Sequence, residues 1–242
     1  MNGKIPGLHH VTAIASDPQR NLDFYVGLLG LRFVKRTVNF DDPGTYHFYF
    51  GDNRGTPGTI LTFFPWPDGP VPAEHALHGF HSVSAALEGY ERSARLLTEN
   101  FGYRLIDESG NRFRFASPDD SAPGRIIDLL CLPDTGMGRV AAGSVHHIAF
   151  RAKDDAEQLQ WREHLVDLGY NVTPVMDRVY FHSIYFREPG GVLFEIATEP
   201  PGFTLDEQLE ELGTHLRLPP WLESARSEIE QILPPIQLAG KT

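Results

Sequence analysis

Two stretches of the chain set histidines side by side in runs otherwise fit for the middle of a β-sheet: LHHVTA at 8–13 and VHHIAF at 145–150. A third stretch, VLFEIA at 192–197, sets the carboxylate of Glu195 inside an uninterrupted apolar run. Burying an imidazole costs free energy unless its nitrogens find partners, and burying an unpaired carboxylate costs more. A shared cation resolves both costs, because neutral imidazole and carboxylate oxygen are its natural ligands. Two histidines and one carboxylate, with further positions left open, form the facial triad of non-haem Fe(II) oxygenases, which would carry a substrate and dioxygen on the open positions. The spacing accommodates Mn(II) as well as Fe(II).

The elements that must bring these residues together follow from an internal repeat. Aligned on His10, His81 and His147, the chain shows three copies of one pattern. Each histidine is followed by a helix-like segment that ends in glycine: Gly30, Gly102 and Gly169. Each copy closes on a glycine-led apolar strand, GTILTFF, GRIIDLL and GVLFEIA, in which Thr62, Asp128 and Glu195 hold the same place. The helical segments carry apolar residues three and four apart, Leu22, Tyr25, Leu28 and Leu29 in the first copy and Leu159, Leu165 and Leu168 in the last. The later strands, such as TYHFYF and VYFHSIYF, are rich in aromatic and β-branched residues. The fold class expected is α+β, with tandem βαβββ modules forming curved mixed sheets. The first module spans 5–66, the middle one 76–133 and the last 144–199. Segments 67–75 and 134–143 are linkers, and 200–242 is a tail packing on the core. In this register His10 and His147 come from the first strands of two modules and Glu195 from the final strand of the last.

Composition bounds the rest. The 242 residues are 41% hydrophobic and 22% charged, with a net charge of −11, the profile of a soluble globular protein. That charge disfavours a phosphate-backbone partner, so no nucleic acid is expected. No apolar run approaches the ~20 residues of a membrane helix. A single cysteine, Cys131 in the buried-looking strand IIDLLCL, excludes an intrachain disulfide and fits the cytoplasm. His81 and Asp128 repeat the ligand positions without a paired histidine or a partner copy, so no second metal is expected there. His47 and His182 lie among aromatics and read as core packing, with a place on a cavity wall as the alternative for His182; His75, His78, His164 and His215 read as surface or linker residues.

The stretches GLHHVTAIA, FYVGLLGLRFVKRTVNFDDPGTYHFYFGD, GTPGTILTFFPW, GFHSVSA, GNRFRF, VHHIAFRA, YFREPGGVLFEIAT and PGFTLDEQLEELG together resemble the vicinal-oxygen-chelate (glyoxalase, bleomycin-resistance and extradiol dioxygenase) superfamily, specifically its hydroquinone-type ring-cleaving dioxygenases. The resemblance implies Fe(II) held by His10, His147 and Glu195, with a small aromatic diol and dioxygen as substrates. It assigns supporting roles to His9, Thr12, His146, Arg178 and Tyr185. Because adjacent side chains of a regular strand face opposite ways, such roles for His9 and His146 require a bulge or a strand end. Members of the family carry four modules; here the second is absent, and a homodimer through the orphaned middle module is expected to complete its sheet. Two other readings stay open on this scaffold. A glyoxalase-like lyase or isomerase would want a fourth ligand where Thr62 stands. A non-catalytic protein sequestering an aromatic compound would need no buried triad.

Overall fold

The computed structural model describes residues 4–15, 18–64, 80–119, 124–134, 136 and 145–238. The expected linker 67–75 and almost all of 134–143 lie outside these. In chain order, β1 (Leu8–Ile14) leads into α1 (Pro18–Leu22), which continues as a π-helical stretch, Asp23–Leu28. β2 (Arg32–Asn39), β3 (Asp42–Gly51) and β4 (Ile60–Phe64) follow. The same order recurs as β5 (Ser82–Leu87), α2 (Glu91–Arg95, continued by Leu96–Asn100), β6 (Arg104–Ser109), β7 (Arg112–Ala116) and β8 (Ile126–Cys131). It recurs again as β9 (Val145–Ala152), α3 (Asp155–Asp167), β10 (Met176–Asp177), β11 (Phe181–Arg187) and β12 (Leu193–Pro201). The tail forms short 3-10 turns and α4 (Arg226–Ile232).

In each set the helix carries the chain across to the sheet edge and the antiparallel meander that follows returns it beside the first strand, so β1 runs parallel to β4, β5 to β8 and β9 to β12. The remaining pairs are antiparallel hairpins. The first and last sets merge into one eight-stranded sheet, ordered β10-β11-β12-β9-β1-β4-β3-β2, whose centre is the antiparallel pair β1 and β9. The middle set keeps its own four-stranded sheet, β5-β8-β7-β6. The glycines of the repeat are conformational requirements: Gly58, Gly124 and Gly191 before the closing strands have φ of 88°, 66° and 90°, a region that only glycine enters cheaply. At Gly124 a Cβ would also meet the backbone of Gly58 at 2.8 Å.

Of the three apolar cores among the described residues, two fix the middle set and the tail against the large sheet. One joins the middle and last sets, with Phe101 edge-on to Phe150 and Trp161 at 4.8 and 5.3 Å between ring centres. The other packs Phe33, Phe48, Phe50 and Phe63 of the first set against Leu218, Ile229 and Leu233 of the tail. The expected apolar face of α3 needs correction. Leu159 and Leu168 are exposed, and the helix instead buries Gln158, Trp161 and Leu165. Gln158 suits the interior because its amide donates to the carbonyls of His182 and Ile196 at 2.7 and 2.8 Å, pinning α3 across β11 and β12. Lys35, fully buried on β2, anchors the tail through Asp206 at 2.7 Å and Glu207 at 2.5 Å.

Candidate metal centre

The pairing of β1 with β9 explains the doubled histidines. Leu8 faces Phe150 and His10 faces Ala149, which leaves His9 as an extra residue on β1. Thr12 faces His147 and Ala13 faces Val145, which leaves His146 as an extra residue on β9. Each pair therefore sits on a β-bulge, the local geometry that frees neighbouring side chains from strict alternation. The consequence is visible in the rings: His9 Nδ1 lies 2.9 Å from His10 Nδ1, and His146 Nδ1 lies 2.8 Å from His147 Nδ1. With each ligand imidazole donating from Nδ1 to its neighbour, its Nε2 lone pair is left bare toward the interior.

Those two Nε2 atoms converge with one carboxylate oxygen. His10 Nε2 and His147 Nε2 are 3.1 Å apart, and Glu195 Oε2 lies 3.3 and 3.0 Å from them. Adjacent ligands on an octahedral ion with bonds of about 2.1 Å are separated by about 3.0 Å, so the triangle has the dimensions of one octahedral face. The other carboxylate oxygen accepts from Ser183 Oγ, whereas Oε2 has no hydrogen-bond partner despite complete burial. Three lone pairs aimed at one point, one of them buried and unpartnered, fit a cation. Among the described residues this is the one set of three such side chains close enough to share an ion.

Electrostatics prepare the ligands. Burial opposes ionisation of Glu195, yet the neighbouring imidazoles of His10 and His147 hold its carboxyl well below the usual value. Burial lowers His147 to about 4, partly offset by Glu195. Burial likewise lowers His9, helped by His10, and His146. These three histidines are neutral around pH 7. His9 also bonds the backbone of Thr198, which fixes the ring that fixes His10.

Two members of the triad, His10 and His147, line a cavity of about 310 Å³ whose walls include the aromatic side chains Phe40, Phe64, Phe181 and Tyr185. His146 and Arg178 line it too. The Arg178 guanidinium stands 5.6 Å over the Tyr185 ring and 3.1 Å from Asp41. Thr12 is buried and bonded to Thr62, Oγ1 to Oγ1 at 2.8 Å; His9 faces a second hollow of the barrel beside Phe181. Sequence reasoning missed His47, which lines the cavity instead of packing in the core, and Ser183, which holds Glu195. His182 is also no core residue: it is partly exposed and bonds Asp155 at 2.6 Å. Asp128 is taken by Arg112 and Arg114 at 2.9 and 2.8 Å, and His81 is exposed, so the two form no metal site.

Fold and site together define a module pair of the vicinal-oxygen-chelate kind with a candidate metal centre. The family model of the "Glyoxalase/Bleomycin resistance protein/Dioxygenase superfamily" matches residues 7–196, and the chain belongs to that superfamily. It is 40% identical to the "Putative ring-cleaving dioxygenase MhqO" of Bacillus subtilis (strain 168), over 98% of this chain and 99% of that protein. It is 28% identical to the "Chlorohydroquinone/hydroquinone 1,2-dioxygenase" of Sphingobium indicum, over 93% and 95%. The crystal structure of a "putative dioxygenase from Bacillus subtilis subsp. subtilis str. 168" superposes with a TM-score of 0.91 at 38% identity, covering 98% of this chain and 99% of that one. The alignment with MhqO runs over 311 positions against a chain of 242 residues, an excess of about one βαβββ unit.

Proposed function

We propose that the protein is an Fe(II)-dependent, extradiol-type dioxygenase that cleaves the ring of a hydroquinone or catechol-like diol. The observation that carries this reading is the bare triangle of His10, His147 and Glu195 opening onto an aromatic-lined cavity. The names of the relatives support the same chemistry. Fe(II) held by this triad, with Mn(II) as the other ion its donors accept, would bind diol and dioxygen side by side and let electron density pass from ring to oxygen.

The chain's own residues do the remaining work. His9 and His146 orient the two ligand imidazoles through their Nδ1 atoms, and Ser183 orients the carboxylate. His146 accepts from His147 at Nδ1 and therefore carries its hydrogen on Nε2, from which it donates at the cavity wall to the departing oxygen. Tyr185, which burial keeps in its phenol form, offers a proton donor beside the His147 ring at 5.7 Å between centres. Arg178 supplies a fixed positive charge for the oxyanion that develops as the ring opens. Thr12 holds the neighbouring strand β4 in register through Thr62. The phenyl and phenol walls exclude water and stack on the diol ring.

Thr62, a poor ligand already bonded to Thr12, disfavours the four-ligand lyase. The buried triad disfavours simple sequestration. Fe(II) is loaded anaerobically and oxygen uptake is followed with a panel of hydroquinones and catechols. Uptake with ring-opened product supports the reading; tight binding without uptake from any diol overturns it.

The modules are assigned to 5–66, 76–133 and 144–199, in the cytoplasm, the setting that fits the free thiol of Cys131. The middle module completes a homodimer. Its first strand, β5, is the counterpart of β1 and β9, which pair antiparallel at the centre of the large sheet, yet β5 lies at a sheet edge. Its sequence SVSAAL has neither the charge nor the proline that usually protects an edge. Antiparallel pairing of β5 with a second copy across a two-fold axis would build a second eight-stranded sheet. A monomer mass by light scattering at micromolar concentration overturns that assignment.

A further inference from the structure

The two halves of the large sheet are related by a pseudo-two-fold axis through the β1 and β9 pair, and the side chains can be compared across it. Tyr185 faces Glu195 in the register of β11 on β12; Tyr49 faces Thr62 in the register of β3 on β4. Two residues before each tyrosine stand Ser183 and His47, which bond Glu195 and Thr62 respectively. Thr12 and Ala149 are likewise counterparts on β1 and β9. The half holding Glu195 is therefore a metal-binding half. Its counterpart places an uncharged hydrogen-bonded chain at the same positions: Tyr49 OH to His47 Nδ1 at 2.9 Å, His47 Nε2 to Thr62 Oγ1 at 2.9 Å, and Thr62 Oγ1 to Thr12 Oγ1 at 2.8 Å.

The direction of this chain follows from the groups' chemistry. Burial holds the Tyr49 phenol protonated and the His47 ring neutral. The phenol then donates to Nδ1, and the Nε2 hydrogen goes to Thr62. Every nitrogen of His47 is satisfied, but the Tyr49 oxygen keeps lone pairs, and both Tyr49 and His47 line the cavity. The ring of His47 is further wedged between Tyr49 and Phe64, at 4.2 and 4.6 Å between centres, so its orientation is fixed before any ligand arrives.

We propose that Tyr49, held by His47, receives the diol hydroxyl that is not directed at the triad, and that His47 stores that hydroxyl's proton. The hydroxyl donates to the Tyr49 oxygen. When its O–H bond breaks, Tyr49 takes that proton and passes its own to His47 Nδ1, leaving a phenolate on the ring, an unchanged tyrosine and an imidazolium. Thr62 and Thr12 are positioning residues that keep Nδ1 turned toward Tyr49. This assignment rests on the diol reading of the site and adds a second anchoring point to it.

The test compares hydroquinone with 4-methoxyphenol, which lacks one hydroxyl donor, in anaerobic calorimetry on the Fe(II)-loaded protein. One neutral hydrogen bond is worth about a five- to tenfold preference for hydroquinone in the parent protein. Tyr49→Phe is expected to bind both within about twofold. His47→Gln is expected to lower kcat for hydroquinone about tenfold or more, with KM little changed, and to alter the solvent deuterium isotope effect on kcat. A merely structural role would move neither the preference nor the isotope effect. Retention of the full preference in Tyr49→Phe, or parent-like kcat in His47→Gln, overturns the proposal while leaving the diol reading intact. If Tyr49→Phe fails to fold, the kcat and isotope effect of His47→Gln decide alone. Absence of oxygen uptake by the parent protein with every diol overturns the diol reading and this assignment with it.

Discussion

Replacing Glu195 by Gln removes one charge from the candidate centre and nearly preserves the side chain's shape. The carboxylate is completely buried, 3.0 and 3.3 Å from two imidazole nitrogens, and has one unpartnered oxygen. Loss of an outer-shell partner of a metal ligand typically costs ten- to a hundredfold in affinity, so removing the anionic ligand itself is expected to cost more than about a hundredfold. At a free metal concentration of a hundred times the parent's Kd, binding stabilises the fold by about 2.7 kcal/mol. The variant, with Kd raised to that concentration or above, gains no more than about 0.4 kcal/mol from the same relation. For a chain of this length about 1 kcal/mol shifts the midpoint by about 2–4 °C. The metal-induced rise in Tm should therefore shrink by about 5–9 °C. Differential scanning fluorimetry of chelator-stripped protein, with and without anaerobic Fe(II), measures the rise. An undiminished rise in Glu195→Gln, with unchanged metal stoichiometry, would show that the ion binds elsewhere.

Three further perturbations bear on the cavity histidine, the buried lysine and the middle sheet. His146→Phe removes the partner that orients His147 and should weaken metal binding about ten- to a hundredfold, yet at saturating Fe(II) it should retain the ion while kcat for a diol falls about a hundredfold or more; steady-state oxygen uptake and metal analysis report both. Lys35→Met strips the buried Glu207 and its neighbour Asp206 of their shared cation and should lower stability by about 3 kcal/mol in a urea titration. Asp128→Asn breaks the Arg114 and Arg112 pairs and should cost about 1–2 kcal/mol at pH 7. The hydrogen bond from Arg114 depresses the Asp128 carboxyl in the folded state against the opposing effect of burial. This contribution is accordingly complete above the unfolded value of about 3.9 and lost as pH falls through the lower folded value. The stability difference between parent and variant should therefore begin to shrink as pH falls below about 3.9 and be lost only below the depressed folded value.

What the sequence disclosed and what it withheld follow from different physics. The triad could be read because an ionisable residue in an apolar strand stands out and because a repeat fixes equivalent positions without coordinates. The glycines that marked that repeat hold positive φ, a backbone requirement that leaves a direct trace in residue type. The bulges at His9 and His146 leave no such trace: one extra residue in a strand changes neither composition nor local hydropathy. The roles implied for the two histidines ask for a bulge or a strand end, and the register of β1 against β9 shows a bulge at each. Gln158 was overlooked for Leu159 because a polar side chain that satisfies two backbone carbonyls is as buriable as an apolar one, and its partners lie far along the chain. His47 was read as core for the same reason, since its fitness for a cavity wall depends on Thr62 and Tyr49 reaching both its nitrogens.

The same comparison bears on why a pair of modules, and not one, builds the centre. A single βαβββ set supplies one histidine from its first strand and one group from its last, and two donors do not hold an ion firmly. Joining β1 to β9 doubles the donors and sets their first strands at the floor of one cavity. Full symmetry would give two carboxylates and close the coordination sphere further. Thr62 in place of a second carboxylate breaks the symmetry, leaving coordination positions free on the side of the first module. That asymmetry is what an oxygenase requires, since diol and dioxygen must meet at one ion. It also predicts that Thr62→Glu would restore the missing donor: the variant should bind a divalent ion more tightly than the parent while losing oxygen uptake. Tight metal binding with undiminished turnover would refute the argument that the open side of the site is the reactive one.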